Sequence, residues 1–187
     1  MLMNLPNKLT LLRVCLIPVF LIALLGEFTF LTGDAQDLVA VFIFIVASLT
    51  DWLDGFIARS RNMVTTFGKF ADPLADKVLV ASALIAMVEL GLIASWVAIT
   101  IISREFIITG FRLVAAEKSV VIAAGFWGKM KTAVTLVMII FVLFQFSFAA
   151  VGIIANILIY LSVFLTIISM VEYIVSNFDV LKDGEKK

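Results

Sequence analysis

Long apolar runs, each approaching twenty residues and separated by short polar breaks, dominate this chain. About 20 apolar residues in a helix cross the ~30 Å hydrocarbon layer of a bilayer. Of the 187 residues 63% are hydrophobic and 15% charged, which is a membrane protein's composition. The expected fold is an all-α integral membrane protein, one membrane domain over residues 1–187 with a core of six transmembrane helices over 9–177. Residues 1–8 read as a short amphipathic surface helix interrupted by Asn4 and Pro6, and 178–187 as a polar tail. The first apolar run is too long for a removable signal peptide and lacks a small-residue cleavage site.

The first span is expected from about Leu9 to Phe30, capped by Asn7 or Thr10 and kinked at Pro18. Arg13, one turn in, is placed to snorkel to the headgroups. The next spans run from about Leu38 to Arg59, Thr66 to Leu90, Ser95 to Val114 and Met130 to Phe148. The sixth ends near Val175, with only Gly152 to mark the turn before it. With six spans, all fourteen Lys and Arg fall on one side, while Glu27, Asp34, Asp37 and Glu89 fall on the other. The positive-inside rule then puts both termini at the cytosolic face of the cell membrane. Net charge is zero, so the total hides this asymmetry.

Thr50 to Lys77 holds four aspartates, Asp51, Asp54, Asp72 and Asp76, between two very apolar flanks. An acid at mid-membrane costs ~2.5–3.5 kcal/mol on insertion scales, so such residues are functional by default. Asp51 and Asp54 are three apart and Asp72 and Asp76 four apart, so on helices each pair shares a face. The polar break SRNMVTT can reverse the chain and bring the pairs together. Four carboxylates that close repel unless a cation sits among them, and hard oxygens suit Mg²⁺ or Mn²⁺. Gly55 and Gly68 remove side chains beside both pairs, so a ligand can approach the backbone. The chain has no histidine, and Cys15 is its one cysteine, so neither imidazole nor a thiolate site competes. Pro73 leaves the Lys69 carbonyl without its usual helical partner.

A second polar set lies further on. Arg104 and Glu105 interrupt an apolar run, Arg112 follows two turns later on roughly the same side, and Lys129 and Lys131 stand in GKMKT. Lys118 and Lys131 read as helix-end cations that follow the positive-inside rule. Arg104 is either half of a structural pair with Glu105 or part of a phosphate site. A phosphate site would draw on Arg104, Arg112 and Lys129 together.

Written as a pattern, the aspartate stretch is D-x-x-D-G-x-x-A-R, eight residues, then G-x-x-x-D-x-x-x-D. It resembles the signature of the CDP-alcohol phosphotransferase family at every fixed position: Asp51, Asp54, Gly55, Ala58, Arg59, Gly68, Asp72 and Asp76. The blocks NLPNKLTLLR, ISREFIITGFR and GKMKT are similar to members that use glycerol 3-phosphate as acceptor and CDP-diacylglycerol as donor. The resemblance implies two divalent cations, one held by Asp51, Asp54 and Asp72 and the other by Asp51, Asp72 and Asp76. It implies Asp76 as general base. Gly55, Ala58, Gly68, Arg59 and Asp54 would meet the nucleotide, and Asn7, Thr10 and Arg13 a headgroup or nucleotide. It also implies a homodimer with a cytosol-facing site among membrane lipids. No nucleic-acid partner is expected. A sibling acceptor (inositol phosphate, serine or phosphatidylglycerol) is the alternative. A cation transporter is another, but it would carry its acids nearer mid-span.

Overall fold

A computed structural model describes the backbone of residues 5–26, 34–60, 66–118, 120, 122, 125–144 and 149–178. The side chains of residues 5–8, 34, 51–60, 66–73, 149 and 150 lie outside that description. Among the described residues six helices follow one another: α1 Leu5–Leu25, α2 Asp34–Ser60, α3 Thr66–Glu89, α4 Ser95–Glu117, α5 Phe126–Leu143 and α6 Ala149–Ser176. Among the described residues there is no strand.

Successive helices run in opposite directions. Gln36, near the start of α2, donates from Nε2 to the carbonyls of Leu24 (3.2 Å) and Gly26 (2.7 Å) at the end of α1. One end of the bundle gathers Lys77 of α3, Arg112 of α4, Gly128 of α5 and Tyr173 of α6 around a common cavity. Leu92, Phe141 and Gly152 meet around another, where α3 passes to α4 and α5 to α6. Between α3 and α4 the turn closes on Gly91, at φ +71°. There Leu92 N–H bonds the Met87 carbonyl at 2.9 Å and Gly91 N–H that of Val88 at 3.0 Å. This is the paired Schellman closure that glycine favours after a helix.

Helix α3 packs on α1, α2, α4 and α5, and α6 packs on α4 and α5. Lipid is as apolar as leucine, so close packing rather than water exclusion must hold such helices together. Buried Ala40 and Ala47 on α2 and Ala83 and Ala86 on α3 supply the small surfaces that close approach needs. Phe20 of α1 and Phe44 of α2 meet with ring centres 5.7 Å apart, and Met87, Ile101, Met138 and Leu143 continue this core. Outside, Ile22, Phe42, Ile85, Ile99, Phe106 and Ile157 are each more than half exposed. Apolar exposure of that extent marks a membrane-facing surface. Helix α5 and the Val151–Ser176 stretch of α6 are long and apolar enough to cross a bilayer. The chain is that of a membrane protein.

Several expected boundaries move. Helix α1 already runs through Pro6 and Asn7, so the lead is not a separate piece where it is described. Pro6 sits in the first turn, where its missing N–H has no intrahelical role. Asn7 and Thr10 are therefore inside the helix rather than its caps. Arg13 does not snorkel: it is completely buried, on one stripe with Thr10, Ile17 and Phe20. That stripe is the face that packs on α2 and α3. Helix α2 starts four residues early, at Asp34, because Asp34 and Asp37 suit the positive end of a helix. Helix α5 begins at Phe126 rather than Met130, and Gly152 lies within α6 rather than at its turn.

Candidate functional site

The aspartates keep the expected helical register. Asp51, Asp54, Gly55, Ala58 and Arg59 all fall within α2, and Gly68, Asp72 and Asp76 within α3, which runs unbroken through Pro73. Each acid pair thus shares a face of its helix, and α2 and α3 are in contact. The side chains of Asp51, Asp54, Ala58, Arg59 and Asp72 lie outside the described residues, as does that of Asn7. Asp76 is half-buried and lines a cleft.

That cleft opens among α3, α4, α5 and α6 and encloses about 200 Å³. Drug-sized ligands take roughly 300–1,000 Å³, so this space suits a small polar molecule. Asp76 and Lys77 line it from α3, Arg104, Glu105, Thr109 and Arg112 from α4, Gly128 and Thr132 from α5, and Ser169, Glu172 and Tyr173 from α6. A narrower crevice adjoins it through Asp76, Lys77, Glu105 and Thr132, and continues between Val80, Leu84, Ile101 and Ile102. A polar chamber therefore passes into an apolar slot within a few residues of Asp76.

Glu105 organises the cations of the chamber. Its Oε1 accepts from Arg104 Nη1 at 2.9 Å and from Lys131 Nζ at 2.7 Å. The Arg104 and Lys131 side chains are 8% and 3% exposed, so one carboxylate holds two nearly dry cations. The trio keeps a net positive charge, and among the described residues Arg104 Nε is buried without a hydrogen bond. A buried charge with unused donors favours an incoming anion. Gly128 lets the guanidinium lie close to α5: a Cβ there would stand 3.4 Å from Arg104 Nη2.

Arg112 is held differently. It is exposed, and its Nε donates to Tyr173 Oη at 3.3 Å across to α6. Tyr173 is itself buried against Ile108 and Phe111, its ring edge-on to Phe111 at 5.6 Å. One edge of the guanidinium is anchored, and the rest of its planar fork is available to an oxyanion.

The structure brings Asp76, Arg104 and Arg112 to one cleft. Lys129 does not line it: that side chain is exposed, and Lys131 takes the inward position. Arg104 pairs with Glu105 and also reaches the cleft. Thr10 and Arg13 are buried in the bundle rather than set at its lipid surface. Lys77, Thr132, Ser169, Glu172 and Tyr173 escaped the sequence reading. One signal was there for Glu172, the only charge in α6.

The protein-family description "CDP-alcohol phosphatidyltransferase" matches residues 3–168. The chain belongs to this family. Among similar CDP-alcohol phosphatidyltransferases, a Bacillus subtilis protein named CDP-diacylglycerol--glycerol-3-phosphate 3-phosphatidyltransferase is 44% identical, over 96% of this chain and 97% of its own. Proteins of the same name from Haemophilus influenzae and Escherichia coli are 40% and 38% identical, each over 91% of this chain and over 91% and 93% of their own. For a phosphatidyltransferase the donor set is apt. Carboxylates in helical register, with Asp76 at the cleft wall and Cys15 exposed elsewhere on α1, suit a hard divalent cation and not a thiolate-loving one.

Proposed function

We propose that this protein transfers the phosphatidyl group of CDP-diacylglycerol to glycerol 3-phosphate, giving phosphatidylglycerophosphate and CMP. The observation that carries the reading is the shared cleft, with the signature acid Asp76 on α3 and Arg104 and Arg112 on α4. The names of the similar proteins support both substrates.

Asp51, Asp54, Asp72 and Asp76 would hold two divalent cations, Mg²⁺ or Mn²⁺. When bound, these neutralise pyrophosphate charge and acidify an attacking hydroxyl. The remaining work falls to the protein's own side chains. Arg104 and Arg112 bind the acceptor's phosphate, and their separate anchors on Glu105 and Tyr173 fix its orientation. That leaves the terminal hydroxyl directed at Asp76. As its oxygen bonds the lipid-bearing phosphorus, the Asp76 carboxylate takes the proton and the bond to CMP breaks. Gly55, Ala58, Gly68 and Arg59, the other fixed positions of the signature, would serve the nucleotide. The apolar slot along Val80 and Leu84 suits the lipid portion of the donor.

The same proposal includes six membrane spans, a cytosol-facing site in the cell membrane, and a homodimer. One assay tests the chemistry. Purified protein with CDP-diacylglycerol and Mg²⁺ or Mn²⁺ receives glycerol 3-phosphate, serine, inositol phosphate or phosphatidylglycerol, and CMP release is followed. Release with glycerol 3-phosphate above the other acceptors is the expected result. Release with a sibling acceptor alone would reassign the substrate.

A further inference from the structure

We propose that Glu172 is the acceptor-specificity residue, accepting a hydrogen bond from the non-reacting secondary hydroxyl of glycerol 3-phosphate. This rests on the transferase reading above and goes further, assigning a residue to one group of the substrate.

Glu172 is the single charge in the 28 residues of α6, whose mean character is strongly apolar. It is half-buried and lines the cleft that holds Asp76, Arg104 and Arg112. Among the described residues it makes no hydrogen bond or ion pair, although Arg112 is anchored on the adjacent Tyr173. Gly125, just before α5, lies beside it: a Cβ there would come within 3.2 Å of Oε2 and 3.4 Å of Oε1. A side chain at that position would make the carboxylate give by a few tenths of an ångström, and the glycine spares it that adjustment.

Asp76 has the reacting hydroxyl and Glu105 has its two cations, but Glu172 has no cation on it among the described residues, and its place in the cleft calls for a physical reason. It repels the phosphate and cannot be its ligand. The same repulsion drives the phosphate toward Arg104 and Arg112 and leaves the uncharged end of the acceptor for Glu172. That end carries two hydroxyls. The terminal one must face Asp76 to react, and the secondary one is the remaining donor. An ionised carboxylate has only acceptors to offer, and a hydroxyl donor to it makes a short, strong bond.

The test compares sn-glycerol 3-phosphate with 3-hydroxypropyl phosphate, which keeps the phosphate and terminal hydroxyl and lacks only the secondary one. The full-length protein is assayed with CDP-diacylglycerol and Mg²⁺, reading CMP release. A charge-assisted hydrogen bond corresponds to a preference of roughly ten- to a hundred-fold in kcat/KM for glycerol 3-phosphate in the wild type. Glu172→Ala should bring the two acceptors to within about three-fold of each other, by loss on glycerol 3-phosphate alone. Glu172→Gln, nearly the same shape, should fall between and carries the test if the alanine variant does not fold. Equal use of both acceptors by the wild type overturns the proposal. So does an unchanged ratio in the variants, or a parallel fall on both acceptors, which is what a structural role at the start of α5 would produce. No release with glycerol 3-phosphate by the wild type would remove the transferase reading itself, whereas an active enzyme with an unmoved ratio removes only Glu172.

Discussion

Lys131 Nζ lies 2.7 Å from Glu105 Oε1, joining α5 to α4. Arg104 shares the same oxygen, so two helices and the two buried cations of the cleft depend on one carboxylate.

Glu105→Ala is therefore expected to be the most destabilising change in the cleft. It strands two buried cations, and breaking a buried pair costs ~3–5 kcal/mol. The lower end of that range applies, because the Glu105 side chain is 24% exposed. Thermal unfolding in detergent measures it, with Thr109→Ala on the same cleft wall as a milder comparison. Equal melting temperatures for Glu105→Ala and wild type would show that the trio does not hold the helices.

Arg112→Ala should raise the KM for glycerol 3-phosphate by roughly ten- to a hundred-fold and leave that for CDP-diacylglycerol nearly unchanged. Arg112→Lys should recover only part, since the fork is lost. Lys129→Ala and Lys118→Ala, both exposed, should be near neutral. Steady-state kinetics with each substrate varied in turn separates these outcomes. A large acceptor effect in Lys129→Ala would place the phosphate outside the cleft.

Asp51→Asn, Asp54→Asn, Asp72→Asn and Asp76→Asn should each nearly abolish CMP release while the protein still inserts. Each substitution keeps size and removes a charged oxygen donor. Chelation should silence the wild type, and Mg²⁺ or Mn²⁺ should restore it. Undiminished activity under excess chelator would exclude the cations.

Ser95 and Lys118 are exposed at opposite ends of α4. In a Cys15→Ser background, Ser95→Cys and Lys118→Cys should react with a membrane-impermeant thiol reagent from opposite sides. Labelling of both from one side would show that α4 does not cross the bilayer.

Gly91→Ala should destabilise the protein by ~1–2 kcal/mol through backbone strain alone. The residue sits at φ +71°, and a Cβ there would meet nothing within 4 Å. A melting temperature equal to that of wild type would mean the turn relaxes to another conformation.

The sequence by itself determined what depends on local order. Apolar run length specified six helices, and the spacing of Asp51, Asp54, Asp72 and Asp76 specified which acids share a face. The same eight-position pattern led to the family. Helix ends were legible to within a few residues, since caps and end charges compete weakly with continued hydrogen bonding. The direction in which each helix turns its side chains was decided by tertiary structure. Lys129 and Lys131 are two residues apart, so on a helix of 3.6 residues per turn they point to nearly opposite sides. Packing of α5 against its neighbours turns Lys131 inward onto Glu105 and leaves Lys129 outside. Arg13 is buried for the same reason, lying on the stripe of α1 that meets α2 and α3. Glu172 reaches the cleft because α6 folds back over α4, joining residues more than sixty positions apart. Such a meeting depends on how helices dock, and no spacing along the chain encodes it.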